Sequence, residues 1–237
     1  VGFFKESVDF DKGYEDPVHS IRRQSEGIYA MLHFLAYEKE NGRRHPEWEQ
    51  KMKNMLDILL RLQQADGSFP RKFRDDFTIV DTSGGSTPSA TLPLVMGYKY
   101  FKDKRYLASA KQTADYLEKV LISKADYFSS TLDANCEDKE ASLYAATATY
   151  YLSLITKGDE HRHYADLTKK AAYFALSWYY VWDVPFAQGQ MLGDIGLKTR
   201  GWGNVSVENN HIDVFVFEFA SGRLLLFFRR WNGISVL

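Results

Sequence analysis

Carboxylates are concentrated in a few short stretches of this chain, and two carboxyl groups at a controlled separation are the minimal equipment for cleaving a glycosidic bond. The densest stretch is Asp133-Ala134-Asn135-Cys136-Glu137-Asp138-Lys139-Glu140, which holds four acidic side chains. Carboxyls crowded together and partly dried split their pKa values, so that one keeps its proton and another stays ionised. Glu137 and Asp138 are the preferred catalytic pair there. The bland reading is that acidic residues at a helix start complement its dipole and cap its free N–H groups.

The second stretch is Gly201-Trp202-Gly203-Asn204-Val205-Ser206-Val207-Glu208-Asn209-Asn210-His211-Ile212-Asp213. Glycines on both sides let the backbone turn tightly and present the Trp202 indole, whose face can stack on a sugar ring. Glu208 and Asp213 are candidates for a further catalytic carboxylate. Asn209 and His211 are candidate partners for substrate hydroxyls, and Arg200 is a candidate clamp for an acidic group. A tryptophan is equally at home as a core anchor. Asp75, Asp76 and Asp81 lie near Ser83-Gly84-Gly85-Ser86. Asp81, between Val80 and Thr82, is the one expected to be held against structure and to touch substrate. Arg22, Gln24 and Glu26 reach substrate if the first helix lines an interior; otherwise they form a surface ion pair.

Other chemistries find no footing. Gly201-Trp202-Gly203 lacks the third glycine of a dinucleotide fingerprint, and there is no P-loop and no Gly-x-Ser-x-Gly elbow. His161-Arg162-His163 sits in a short polar turn, and the other histidines lack ligand spacing. No metal or other cofactor is therefore expected. Cys136, the one cysteine, has no intrachain disulfide partner. The net charge is -1 with no long basic block, so nucleic acid is not an expected partner. No apolar run approaches the roughly 20 residues of a membrane span, so no membrane partner is expected. The chain begins at Val1 rather than Met, which reads as a processed or truncated piece.

These residues need elements to hold them. Apolar side chains at helical spacing predict helices over residues 19–40, 47–62, 89–101, 105–122, 137–156 and 161–181. Hairpin order predicts a seventh from about residue 209, although Ile212, Val214 and Val216 alternate like a strand. Short polar turns join the first helix of each hairpin to the second. Long connections, over about 67–88, 123–135 and 182–208, join one hairpin to the next. Successive helices run antiparallel, so all long connections emerge at one end. Connections of this length are functional or disordered, and these are rich in glycine and aromatics. Residues 105–116 also parallel 163–174, with Tyr106 matching Tyr164 and Ala114 matching Ala172. Repeating hairpins must stack to cover their apolar faces.

Alternating helices with the turn Gln63-x-x-Asp66-Gly67-Ser68-Phe69 resemble the (α/α) toroids of six-hairpin glycosidases. The resemblance implies an all-α fold of antiparallel helical hairpins, arranged as a partial (α/α) toroid with long loops at one end. It also implies a cleft where the inner helices begin, and an oligosaccharide or polysaccharide substrate hydrolysed by two carboxylates. Residues 1–237 then form a single domain. Three and a half hairpins, where six close a ring, mark it as a piece of a larger toroid. Two alternatives stay open. A uronate lyase or sugar epimerase would use His211 or a tyrosine as base and Arg200 as clamp. A non-catalytic helical repeat would bind a glycan or a protein through the long-loop face.

Overall fold

The computed structural model describes residues 2–83, 87–128 and 136–207, and the backbone of 212–213. The described residues form three helical hairpins. The first pairs α1 (Ile21–Glu40) with α2 (Pro46–Leu62), the second α3 (Thr87–Phe101) with α4 (Lys104–Tyr116), and the third α5 (Lys139–Ile155) with α6 (Gly158–Leu176). A π-helical turn, Leu117–Ile122, continues α4, and a short α7 spans Met191–Asp194.

Local chemistry sets the helix ends. Ser20 caps α1 by accepting from the Arg23 N–H at 3.2 Å, and Asp103 caps α4 by accepting from the Arg105 N–H at 2.9 Å. Pro46 opens α2, where its missing N–H costs nothing. Met52, Met55, Leu56, Leu59 and Leu62 form the buried face of α2, the stripe expected from helical periodicity. In α3 every residue from Thr87 to Gly97 is buried. That helix therefore lies inside the array, packed on α1 to one side, α5 to the other and α4 behind. Helices α1, α3 and α5 make the inner layer, with α2, α4 and α6 outside. The inner helices all start at one end, each fed by a long segment; the short turns lie at the other.

Helix α6 starts before the expected residue 161 and stops before 181. The physical reason for the early stop is a competing partner. Residues 178–180 pair with the third long connection: the Tyr180 N–H donates to the Trp202 carbonyl at 2.8 Å, the Asn204 N–H to Trp178 at 2.9 Å. Large aromatics such as Trp178, Tyr179 and Tyr180 suit an extended ladder.

The long connections carry strands at the end where the inner helices begin. A hairpin joins β1 (Val8–Asp9) to β2 (Tyr14–Glu15). A three-stranded antiparallel sheet has the order β3 (Val18–Ser20), β4 (Lys72–Arg74), β5 (Ile79–Asp81). Farther on, β6 (Gly203–Asn204) pairs with β7 (Ile212–Asp213). This corrects the expectation of a helix from about residue 209: β-branched Ile212 and its neighbour are extended, their ladder groups taken up by β6. The rest of that segment lies outside the described residues. Among the described residues no helix is long and apolar enough to cross a membrane.

The Gln63–Phe69 turn is a structural lock. Gln63 donates to the Ser109 carbonyl at 3.0 Å and the Thr113 hydroxyl at 2.9 Å, and accepts from Ser109 Oγ at 2.7 Å. Asp66 accepts from the Ser68 N–H and hydroxyl. The Phe69 N–H donates to Thr87 Oγ1 at 2.9 Å, at the start of α3. One turn thus ties α2 to α4 and sets where α3 begins.

Candidate functional site

The second and third long connections meet at the start of α5. The Asp138 N–H donates to the Tyr127 carbonyl at 3.0 Å, the Lys139 N–H to Val205 at 3.0 Å, and the Val207 N–H to Glu137 at 3.2 Å. The acidic stretch and the Trp202 segment therefore lie side by side. The buried Lys139 side chain sets its ammonium 5.6 Å from the centroid of the Tyr179 ring. Gly203 sits against the same pair.

Asp138 is fully buried and caps α5, its carboxylate accepting from the Glu140 N–H at 2.7 Å. Asp138→Ala is therefore expected to cost about 1 kcal/mol of stability, within the range of lost N-caps. Asp138→Asn, which can still cap, should melt close to the wild type. Thermal unfolding followed by circular dichroism measures both, and an alanine variant as stable as the asparagine variant would refute the capping role.

Glu137 turns both carboxyl oxygens toward the Tyr127 N–H, at 3.1 and 3.0 Å. Burial pushes its pKa above the ordinary carboxylate value; the Tyr127 N–H works against that, and the neighbouring carboxyls of Asp126 and Asp138 add to it. The folded state thus holds this proton more tightly than the unfolded state. Its contribution to stability is complete below the unfolded pKa and is lost as pH rises through the raised folded value. Glu137→Gln should accordingly melt higher than the wild type at pH 7, and the gap should vanish below about pH 4. A gap that is independent of pH between 4 and 7 would remove this account.

The remaining candidates are more dispersed. Asp81 accepts from the Ser83 N–H at 2.9 Å and lies 3.7 Å from the Arg71 guanidinium. Trp202 is half-buried, its carbonyl bonded to Tyr180. Arg200 is exposed and donates its backbone N–H to Asp183 at 3.0 Å. Asp213 is described as backbone in β7, opposite Gly203. Glu208, Asn209 and His211 lie outside the described residues. His161 and His163 bond the Ser153 carbonyl and the Glu118 carboxylate respectively. Among the described residues no group of three or more His, Cys, Asp or Glu side chains is placed to hold a metal ion.

The tertiary structure adds a cluster that the sequence left scattered. Arg22, in the first turn of α1, donates to Glu26 at 3.0 Å and is ion-paired with Glu140, in the first turn of α5, at 2.6 Å. The Tyr144 hydroxyl donates to Glu26, and the Arg22 guanidinium lies 5.8 Å from the Tyr144 ring centroid. Burial works against the charge on Arg22, but Tyr144, Glu140 and Glu26 more than offset it, so its pKa moves up. Burial raises the Tyr144 phenol far above its usual range; Arg22 opposes this and Glu26 reinforces it. Two carboxyl groups, one guanidinium and one phenol thus face each other where two inner helices begin. Arg22 and Glu26 were visible as candidates on the first helix. Glu140 belongs to the acidic stretch but not to its preferred pair, and Tyr144 lies outside the sequence candidates. The available signal was shared i, i+4 spacing in the first turns of two helices.

No family model matches the chain. Solved structures do. The unsaturated glucuronyl hydrolase of Bacillus sp. GL1, described as responsible for glycosaminoglycan degradation, aligns at a TM-score of 0.61 and 13% identity over 92% of this chain and 60% of that one. An unsaturated glucuronyl hydrolase specific for heparin aligns at 0.62 and 14%, over 92% and 62%. A D-mannose isomerase aligns at 0.59 and 14%, over 96% and 61%. The chain spans about three fifths of the length of each. The likeness establishes the architecture: an all-α array of antiparallel hairpins of the six-hairpin (α/α) toroid kind.

Proposed function

We propose that this chain is a single toroid domain, part of a larger ring, and belongs to a carbohydrate-active enzyme that hydrolyses a glycosidic bond at the mouth of α1 and α5. The observation that carries this reading is the contrast within one short stretch. Glu140 is ion-paired with Arg22 at 2.6 Å, while burial pushes Glu137 up. Glycoside hydrolysis needs two carboxyl groups in unlike surroundings, one to give a proton and one to act as base or nucleophile. In this reading Glu137 is the general acid, and Glu140 is the second carboxyl, held in place by Arg22. Asp138 caps the helix that bears Glu140 and follows Glu137 directly in the chain. Glu208 and Asp213 are further candidate carboxyls in this reading. Asp81, Trp202, Asn209, His211 and Arg200 are the candidate substrate contacts of this reading.

A second reading is favoured by the D-mannose isomerase of like fold. Sugar isomerisation and epimerisation move a proton next to a carbonyl, and the Tyr144–Glu26 pair beside Arg22 is equipped for proton transfer.

The test is incubation of the purified protein with a panel of nitrophenyl glycosides, unsaturated disaccharides from glycosaminoglycans, and free mannose. Hydrolysis releases nitrophenol or a new reducing end. Isomerisation converts an aldose to a ketose without either. Conversion of mannose alone would replace the first reading by the second, and inertness toward the whole panel would leave a glycan-binding domain.

A further inference from the structure

Below the mouth, α1 and α5 repeat one polar spacing. Arg22, Glu26, Tyr29 and His33 stand at i, i+4, i+7 and i+11 on α1, and Glu140, Tyr144 and Tyr151 hold matching positions on α5. That spacing puts each set on one side of its helix. The two stripes meet. Arg22 reaches Glu140, Tyr144 reaches Glu26, and the Tyr29 and Tyr151 hydroxyls lie 2.7 Å apart. His33 sits edge-on to Tyr29, ring centroids 4.5 Å apart. The apolar stripes turn away toward α3: Ile21, Ile28 and Leu32 each precede a polar position, while Ala141, Ala145 and Leu152 each follow one.

A seam built for stability alone would be apolar, because paired polar groups add little net free energy over hydrocarbon of the same shape. Here hydroxyls and rings line the seam from the mouth downward, and Tyr29 and Tyr151 are only half-buried. By the helical rise, His33 lies about 16 Å along α1 from Arg22.

We propose that the lower seam is a saccharide subsite. A pyranose ring beyond the one at the mouth lies against Tyr29 and Tyr151, and its hydroxyls take over the bond the two phenols now share. His33 marks the far end. This inference rests on the hydrolase reading, yet it fails separately.

The probes are cellotetraose, mannotetraose and tetragalacturonate, each with its monosaccharide, titrated by calorimetry into the wild type and into Tyr29→Phe/Tyr151→Phe. Thermal melting confirms that the double variant folds. At least one tetrasaccharide should bind the wild type and lose about tenfold in affinity in the double variant, the worth of one or two hydrogen bonds. The matching monosaccharide, held at the mouth, should change less than about twofold. Unchanged tetrasaccharide affinity in the double variant, or no binding of any of the three by the wild type, overturns the subsite. If Arg22→Ala abolishes turnover while the tyrosine variant binds normally, the subsite alone is wrong. If the tetrasaccharide binds through the tyrosines but no glycoside is cleaved, the hydrolase reading alone is wrong.

Discussion

Gly67→Ala is expected to lower the melting temperature on the order of 10 °C. Gly67 has a backbone φ of +91° and faces the Gln112 carbonyl on α4. An added Cβ would stand 2.2 Å from that oxygen. Two costs combine: left-handed backbone for an L-residue, about 1–2 kcal/mol, and forced separation of packed backbone, about 1–3 kcal/mol. The Gln63 and Asp66 hydrogen bonds are part of the same turn, so the strain cannot be relieved without loosening α2 from α4. Gly42 is an internal control. Its φ is +76°, but an added Cβ meets nothing within 4 Å, so Gly42→Ala should bear the backbone cost alone. Equal melting shifts for the two variants would show that the Gln112 contact contributes nothing.

Arg22→Ala is expected to lower turnover of any glycoside the protein cleaves by about a thousandfold, the upper range for losing one oriented charged donor. The guanidinium bridges Glu26 and Glu140. Without it, two carboxylates and the Tyr144 phenol face one another uncompensated, and Glu140 loses the contact that orients it. Arg22→Lys should recover only part of the rate, since an ammonium cannot reproduce a planar fork between two carboxylates. Glu140→Gln should be as slow as Arg22→Ala while keeping the wild-type circular dichroism. Wild-type kcat in both Arg22→Ala and Glu140→Gln would remove the cluster from the mechanism.

Helix periodicity made the array legible before any coordinates. The Met52–Leu62 stripe is buried as its spacing requires, and the long connections share one end because successive helices alternate in direction. The Asp66-Gly67-Ser68 turn was recognisable too, although as a family mark rather than as the lock between α2 and α4. The strands in the long connections were less visible. Residues 72–81 have the alternation of a hairpin around Asp75-Asp76, but two strands of three residues weigh little until β3 supplies a third. Trp178, Tyr179 and Tyr180 continue a helical apolar pattern, and only the approach of residues 201–204 pulls them into a ladder.

By itself the sequence determined the paired helices of the three hairpins, which faces they bury, and that acidic and aromatic connectors gather at one end. These follow from side-chain spacing within a few turns, where interactions are local. Only the tertiary structure decided what each carboxylate does. Asp138 meets a backbone N–H and Glu140 a guanidinium, though they stand two positions apart. Tyr144 meets Glu26 across 118 residues. The charge state and the chemistry of an acid depend on the dielectric and the partner around it, and those are supplied by whichever distant element packs alongside.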